Sequence, residues 1–334
     1  MSAWGIVGTG HHLPDRVVDN EEVARDLGIP AEWIVRSTGI HTRRRAAPHE
    51  ASSDLAAAAA RASLLDSGRD VADVGLIVVG TSTPDELGPS TACRVQASLG
   101  AAGAAVDIGA ACAGYLFGLQ FACGWLSANP DAGCAVVIGT EVYSRFLDPR
   151  DRTTAVLFGD GAGATVIDRA PDGHGIRSIR LGSDGTGADH VLIPAGGSRR
   201  PADASTIADD AHRIRMDASA VRDDIRTVLP RLIADALTEH AVGLDDLDLL
   251  IPHQPNPRTL RIVADHTGMP LDRIVIVGED IGNIGAASIP TALDIAARGG
   301  RVRAGDTALL IAIGAGMTWG RVWLRWHDTK DTTP

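Results

Sequence analysis

Cys112 stands in the segment Asp107-Ile-Gly-Ala-Ala-Cys-Ala-Gly-Tyr-Leu-Phe-Gly-Leu119, a turn of small residues between an apolar strand and an apolar helix. The first amides of a helix point outward with partial positive charge. They favour thiolate over thiol and can lower the pKa below the roughly 8.5 of a free cysteine. Small neighbours also let a bulky acyl thioester approach. The plain alternative is a buried, inert cysteine, and two distant segments weigh against it. Leu249-Leu-Ile-Pro-His-Gln-Pro-Asn-Pro-Arg258 runs an apolar strand into His253, and Gly282-Asn-Ile-Gly-Ala-Ala-Ser-Ile-Pro290 opens a turn with Asn283 before a helix expected over Ile289 to Ala297. Each has an ordinary explanation alone, a structural histidine or a capping asparagine. Together they place Cys, His and Asn at three strand-to-helix junctions, where a nucleophile and two polar partners can face one cleft.

These residues need a frame to bring them together. The chain contains the same supersecondary sequence twice. Leu76-Ile-Val-Val-Gly80, a helix around Thr91 to Leu99, and the Cys112 strand and helix are followed by the strand Ala135-Val-Val-Ile-Gly139. Leu249-Leu-Ile251, a helix around Arg258 to His266, and the Asn283 turn and helix are followed by Thr307-Ala-Leu-Leu-Ile-Ala-Ile313. Alternating apolar strands and helices predict an α/β protein with mixed or parallel sheets covered by helices. The turn chemistry of Pro171, Asp172, Gly173 and Gly175 places the join near 169–175, giving a half over 1–170 with the cysteine and a half over 171–334 with His253 and Asn283. Pro194 to Asp210, rich in Gly, Ser, Asp and Arg, reads as an exposed excursion that can act as a flap. Gly159-Asp-Gly-Ala-Gly163 precedes strand-like Ala164-Thr-Val-Ile167, whereas a phosphate loop opens a helix. It is therefore expected to be a tight turn, with Asp160 a scaffold residue.

With 334 residues the chain can bury a large core, and its net charge of -11 argues against nucleic acid as a partner. Arg43-Arg-Arg45 reads as a solvated edge. No apolar run reaches membrane-span length and Met1-Ser-Ala-Trp has no signal-peptide pattern, so a cytoplasmic protein without a membrane partner is expected. Cys93, Cys112, Cys123 and Cys134 lack paired or metal-finger spacing, and neither a metal nor a tightly bound cofactor is expected.

The chain closely resembles the β-ketoacyl-acyl-carrier-protein synthase III family of the thiolase-like superfamily. The likeness runs from Gly5-Ile-Val-Gly-Thr-Gly10 through Glu32-Trp-Ile-Val-Arg-Ser-Thr-Gly-Ile40, the Cys112 segment, Asp151-Arg-Thr-Thr-Ala-Val-Leu-Phe-Gly-Asp-Gly-Ala-Gly163, and the His253 and Asn283 segments to Gly314-Ala-Gly-Met-Thr-Trp-Gly320. It implies a duplicated, layered α/β/α/β/α fold, a homodimer, and Cys112, His253 and Asn283 as a catalytic triad. The amides of Cys112 and Ala315 are implied as the oxyanion hole. Trp33 and Arg152 would sandwich the adenine of coenzyme A, with Arg36 nearby and Asn256 bonding the pantetheine. Arg258 and Arg261 are candidates for docking an acidic carrier protein. The chain departs from the family at Pro255 and Pro257 in the His loop, at Ala315 in a glycine turn, and at Gly88, where an aromatic often limits the acyl pocket.

By this resemblance acyl-CoA loads Cys112, and a malonyl-acyl carrier protein extends the acyl group with loss of carbon dioxide, in fatty-acid initiation or in making a polyketide starter. A hydrolase would orient its histidine with a carboxylate, whereas His253 Nε2–H and the Asn283 amide suit an enolate oxygen. Acyl transfer to a carrier or hydroxyl without condensation is the alternative, against which the presence of both His253 and Asn283 weighs. A non-catalytic acyl-CoA or carrier-protein binding subunit is a third reading, against which the nucleophile itself weighs.

Overall fold

The computed structural model describes residues 4–327. Its first half runs β1 (Trp4–His12), β2 (Arg16–Asp19), α1 (Asn20–Leu27), α2 (Ala31–Thr38), β3 (Thr42–Arg45), α3 (Ser52–Ser67), β4 (Val74–Gly80), α4 (Thr91–Leu99), β5 (Ala104–Ile108), α5 (Gly114–Ala128), β6 (Cys134–Val142) and β7 (Asp160–Arg169). Its second half runs β8 (Gly175–Ser183), β9 (Val191–Leu192), α6 (Ala204–Ala208), β10 (Arg215–Met216), α7 (Ala218–His240), β11 (Leu249–Pro252), α8 (Pro257–Thr267), α9 (Gly278–Ile281), α10 (Ser288–Arg298), β12 (Thr307–Gly314) and β13 (Thr318–Arg325). β7 ends at Arg169 and β8 begins at Gly175.

The duplication is visible in the sheets. The first has the order β1-β7-β6-β4-β5 and the second β8-β13-β12-β11 in the matching direction. In both, the pairs on the β1 or β8 side are antiparallel (β1·β7, β7·β6; β8·β13, β13·β12) and those toward the opposite edge are parallel (β6·β4, β4·β5; β12·β11). β6 is buried at every residue, as a central strand covered on both faces must be. Helices α5 and α10 fill the middle layer, packing Leu116 and Leu119 with Ile289 and Leu293 between Val78 and Val137 of one sheet and Leu310 and Val322 of the other. Each such side chain contributes about 1.5–3 kcal/mol by leaving water. Helices α3 and α4 cover the outer face of the first sheet, and α7 and α8 that of the second. The five layers are those expected. No helix among the described residues is long and apolar enough to cross a membrane.

Three local expectations are corrected. The strand foreseen before Asn283 is reduced to isolated bridges, Leu250 with Ile274 and Phe158 with Asn283. Gln254 replaces the missing ladder, its Nε2 donating to the Pro252 and Val275 carbonyls at 2.9 Å and its Oε1 accepting from Val277 N at 3.0 Å and Gly278 N at 3.1 Å. Gly161 and Gly163 form no tight turn but lie inside β7, where β7 passes too close to the start of α10 for a side chain at Gly163. Arg43 is no solvated edge residue. It is fully buried on β3, donating to Asn20 Oδ1 at 2.8 Å and the Val156 carbonyl at 3.0 Å, and burial lowers its pKa to about 10. The 194–210 excursion is mostly exposed, as expected, with α6 inside it and the β9–β10 pair at its base.

The middle-layer turns approach the strand ends more closely than any side chain would permit. A Cβ on Gly139, in β6, would stand 2.1 Å from the Ala286 carbonyl oxygen, and one on Gly314, at the end of β12, 2.7 Å from the Cys112 amide nitrogen. Gly139→Ala is therefore expected to displace the turn that follows Asn283, costing about 1–3 kcal/mol as overpacking. Thermal unfolding checks this, and an unchanged Tm contradicts the close packing.

Candidate active site

Cys112, His253, Asn283 and Ala315 line one cavity of ≈ 270 Å³. The two halves thus contribute to a single site beyond the C-terminal ends of β5, β11 and β12. Cys112 lies on a 3-10 turn, Ala111–Ala113, that runs into α5. Ala111 before it is held at φ 45°, a left-handed backbone that costs a non-glycine residue roughly 1–2 kcal/mol. The turn is tied to its neighbour by Thr318, whose hydroxyl lies 2.9 Å from the Ala110 carbonyl oxygen and 3.2 Å from that of Ala315.

The resting thiol is not the low-pKa thiolate expected at a helix start. Removal of water and, second, the nearby Glu141 carboxylate push Cys112 up to about 12, against smaller opposing help from a backbone amide and the Tyr143 hydroxyl. Lost hydration is the largest of these influences.

His253 follows β11, and its amide donates to the Ile311 carbonyl at 2.7 Å. Its ring is buried, which pushes its pKa down to about 4. Nδ1 lies 2.8 Å from Ser288 Oγ, at the first residue of α10. Asn283 is held by its own backbone, which donates to Leu157 O at 2.8 Å and accepts from Gly159 N at 3.0 Å. Its side-chain Oδ1 accepts from Gly285 N at 2.9 Å, so the amide orientation is fixed and the Nδ2 hydrogens remain for the cavity.

Several groups at the site escape the sequence patterns. Glu141 is fully buried on β6, accepting from Ser82 N at 3.1 Å with both oxygens, from Thr83 Oγ1 at 2.9 Å and from Ala286 N at 3.5 Å. Burial pushes it up to about 8 despite these bonds. A charged residue within the otherwise apolar run Ala135 to Val142 is the signal that could have found it. Tyr143 and Phe158, with ring centroids 4.7 Å apart, form part of the lining. Much of the remaining wall is apolar and comes from the base of the excursion and the start of α7: Val191, Ile193, Ile214, Met216, Val221 and Ile225.

The peripheral residues lie outside the cavity lining. Trp33 on α2 is half-buried against a cluster containing Val18, Ile34 and Val156, which puts it beside the turn that carries exposed Arg152. Asn256 caps α8, its side chain accepting from Thr259 N at 2.8 Å, and Pro257 takes the first helical position, where no intrahelical amide donor is needed. Exposed Arg258 donates to the carbonyl of exposed Arg36 at 2.5 Å, linking α8 to α2. Arg261 is ion-paired with Glu279, so the two-arginine patch expected on α8 is half neutralised. Gly88 stands exposed on the loop after β4, with open space where a Cβ would be, and forms no part of its own chain's cavity.

Residues 106–185 match the family model of 3-Oxoacyl-[acyl-carrier-protein (ACP)] synthase III, and residues 237–326 match the model of its C-terminal part. The β-ketoacyl-[acyl-carrier-protein] synthase III of Bordetella petrii is 44% identical over 326 residues, 96% of this chain and 97% of that protein. The enzyme of the same name from Syntrophomonas wolfei is 40% identical over 98% of both. Among solved structures, the 3-oxoacyl-(acyl carrier protein) synthase III of Pseudomonas aeruginosa superposes with a TM-score of 0.88 at 37% identity, covering 98% of this chain and 99% of that one. A priming β-ketosynthase from a polyketide biosynthetic pathway superposes with a TM-score of 0.88 at 31% identity, covering 98% of this chain and 97% of its own. The layered fold and the cavity are those of a thiolase-like acyl-transferring condensing enzyme. The chain belongs to the β-ketoacyl-acyl-carrier-protein synthase III family.

The position of Glu141 has a measurable consequence. Its folded pKa of about 8 lies above the ordinary 4.5, so the fold disfavours its ionised form, and stability is lost as pH rises from about 4.5 through 8. Glu141→Gln removes that loss: its Tm should gain on wild type between pH 5 and 9, and Cys112 should react faster with iodoacetamide at pH 8. Parallel Tm profiles together with equal alkylation rates would contradict this placement of the charge.

Proposed function

We propose that Cys112 is the nucleophile, that it accepts an acyl group from acyl-coenzyme A, and that the acyl-enzyme condenses with a malonyl-acyl carrier protein. The observation that carries this reading is the convergence of Cys112, His253, Asn283 and the Ala315 turn on one largely apolar cavity. Because neither thiol nor imidazole is charged at rest, the Cys112 proton moves to His253 as sulfur attacks the thioester. The amides of Cys112 and Ala315 receive the oxyanion, and departing coenzyme A leaves as the thiol. In the second half-reaction malonyl thioester loses carbon dioxide, and the Asn283 amide, with His253 beside it, meets the enolate oxygen. The carbanion attacks the acyl carbon and releases Cys112. No cofactor is needed, since decarboxylation supplies the carbanion.

Trp33 and Arg152 on adjoining elements are suited to stacking an adenine, with Arg36 and the Asn256 amide along the approach. Arg258 is the better-placed cation for an acidic carrier protein, Arg261 being paired. A second copy of the chain suits the exposed features on one side of the first half. β5 is an edge strand, Phe121 on α5 is 42% exposed, and Leu87 beside Gly88 is 87% exposed. In such a dimer the Gly88 loop can reach the partner's cavity.

Mass spectrometry with mixed acyl-coenzymes A tests the chemistry. Acyl mass should appear on wild type and not on Cys112→Ala, and malonyl-carrier protein should then release carbon dioxide. Asn283→Ala should keep most acylation and lose decarboxylation. His253→Ala should lose both, because a thiol with a pKa of about 12 needs a base. Acylated enzyme that releases no carbon dioxide would identify a simple acyltransferase. Primer length is tested by Gly88→Phe: each extra buried methylene contributes about 0.8 kcal/mol, so the parent should prefer butyryl or longer primers and the variant should turn toward acetyl. An acetyl-selective parent or an unchanged profile sinks the open-pocket reading.

A further inference from the structure

The hydroxyl of Ser288 has all its hydrogen-bonding capacity committed, and that decides which nitrogen of His253 carries the proton. A serine hydroxyl has one donor hydrogen and two acceptor lone pairs. Ser288 Oγ lies 2.8 Å from the carbonyl oxygen of Gly285, which only accepts, so the hydroxyl hydrogen goes there. The amide of Gln254, which only donates, approaches the same Oγ at 3.3 Å. One lone pair remains for His253 Nδ1 at 2.8 Å, and Nδ1 must therefore bear a hydrogen.

We infer that Ser288 is a positioning residue that holds neutral His253 with its proton on Nδ1, leaving a bare lone pair on Nε2 toward Cys112 and the cavity. This rests on the catalytic reading above and reverses the Nε2–H donor expected from the residue types alone. In acylation the bond from Cys112 sulfur to the acyl carbon forms and the bond to coenzyme A sulfur breaks. The Cys112 proton passes to Nε2 and then to the departing coenzyme A sulfur, so His253 ends neutral. In condensation the carbon–carbon bond forms, the malonyl carbon–carboxylate bond breaks to carbon dioxide, and the Cys112–acyl bond breaks. The released thiolate takes up one proton from solvent by way of Nε2. Asn283 is then the only permanent donor of the pair.

One turn sets both roles. The Gly285 amide points the Asn283 side chain by bonding its Oδ1, while the Gly285 carbonyl claims the Ser288 hydrogen. The donor and the acceptor at the site are thus assigned by the two ends of the same residue.

The test uses the full chain with nitrogen-15-labelled histidine, in wild type, Ser288→Ala and Ser288→Thr, with His253→Gln to assign the signal. At neutral pH wild type should show His253 protonated on Nδ1 and not on Nε2. Ser288→Ala should show the Nε2–H form or a mixture, with the acylation rate at saturating butyryl-coenzyme A falling about ten- to a hundredfold, and with an unchanged Kd for that thioester. Ser288→Thr, which keeps the hydroxyl, should recover tautomer and rate. A wild-type Nε2–H signal overturns the inference even where the Ser288→Thr chain fails to fold, and so does a Ser288→Ala protein whose tautomer and rate are both unchanged. Absence of acyl mass on wild-type Cys112 in the same samples defeats the catalytic reading, while the spectra still decide the tautomer.

Discussion

The close approach of two turns inside the middle layer is the constraint on which the site depends. The turn bearing Cys112 and the turn following Asn283 start helices α5 and α10, which lie side by side between the sheets. They meet because Gly139 and Gly314 leave room for backbone where a side chain would stand. Each half alone would present one turn to solvent. Packed together, they place a thiol from one half within a cavity shared with an imidazole and an amide from the other.

A single physical cause, loss of water, then acts on every one of the three titratable groups Cys112, His253 and Glu141. It raises the Cys112 thiol, lowers the His253 imidazole and raises the Glu141 carboxyl. All three move toward their neutral forms. Such a site does not store a thiolate–imidazolium pair, and charge is created only as the thioester is attacked. Donors already fixed by the fold then meet that charge without reorganising. A neutral resting site also suits a reaction whose second step generates an enolate beside a thioester.

Much of the apolar wall of the cavity comes from the least regular part of the chain. The excursion carries charged and polar residues outward but contributes Val191, Ile193, Ile214 and Met216 inward from its base. That base is pinned by His190 to Asp224 at 2.8 Å and by Ile214 N to the Phe146 carbonyl at 2.8 Å. Cys112, His253 and Asn283 thus sit on the duplicated frame, while much of the apolar lining of their cavity comes from an insertion absent from the repeat. The chemistry and the substrate preference can vary separately.

The repeat, most of the order of strands and helices and the three residues that meet in the cavity are all legible in the amino-acid sequence. Those features are local: apolar runs specify strands and covered helices, and a reactive side chain among small residues marks a junction. For Trp33, Arg152 and Asn256 only family likeness implies a role, since nothing in their neighbours distinguishes a stacking group or an amide ligand from packing and capping. The remainder belongs to the folded chain. Gln254 replaces a strand because its side chain reaches the backbone groups a ladder would use. Glu141 becomes an influence on Cys112 only when β6 passes beneath it. The direction of the thiol and imidazole shifts, and the proton position on His253, depend on enclosure and on hydrogen bonds between residues far apart in the chain, which no local pattern encodes.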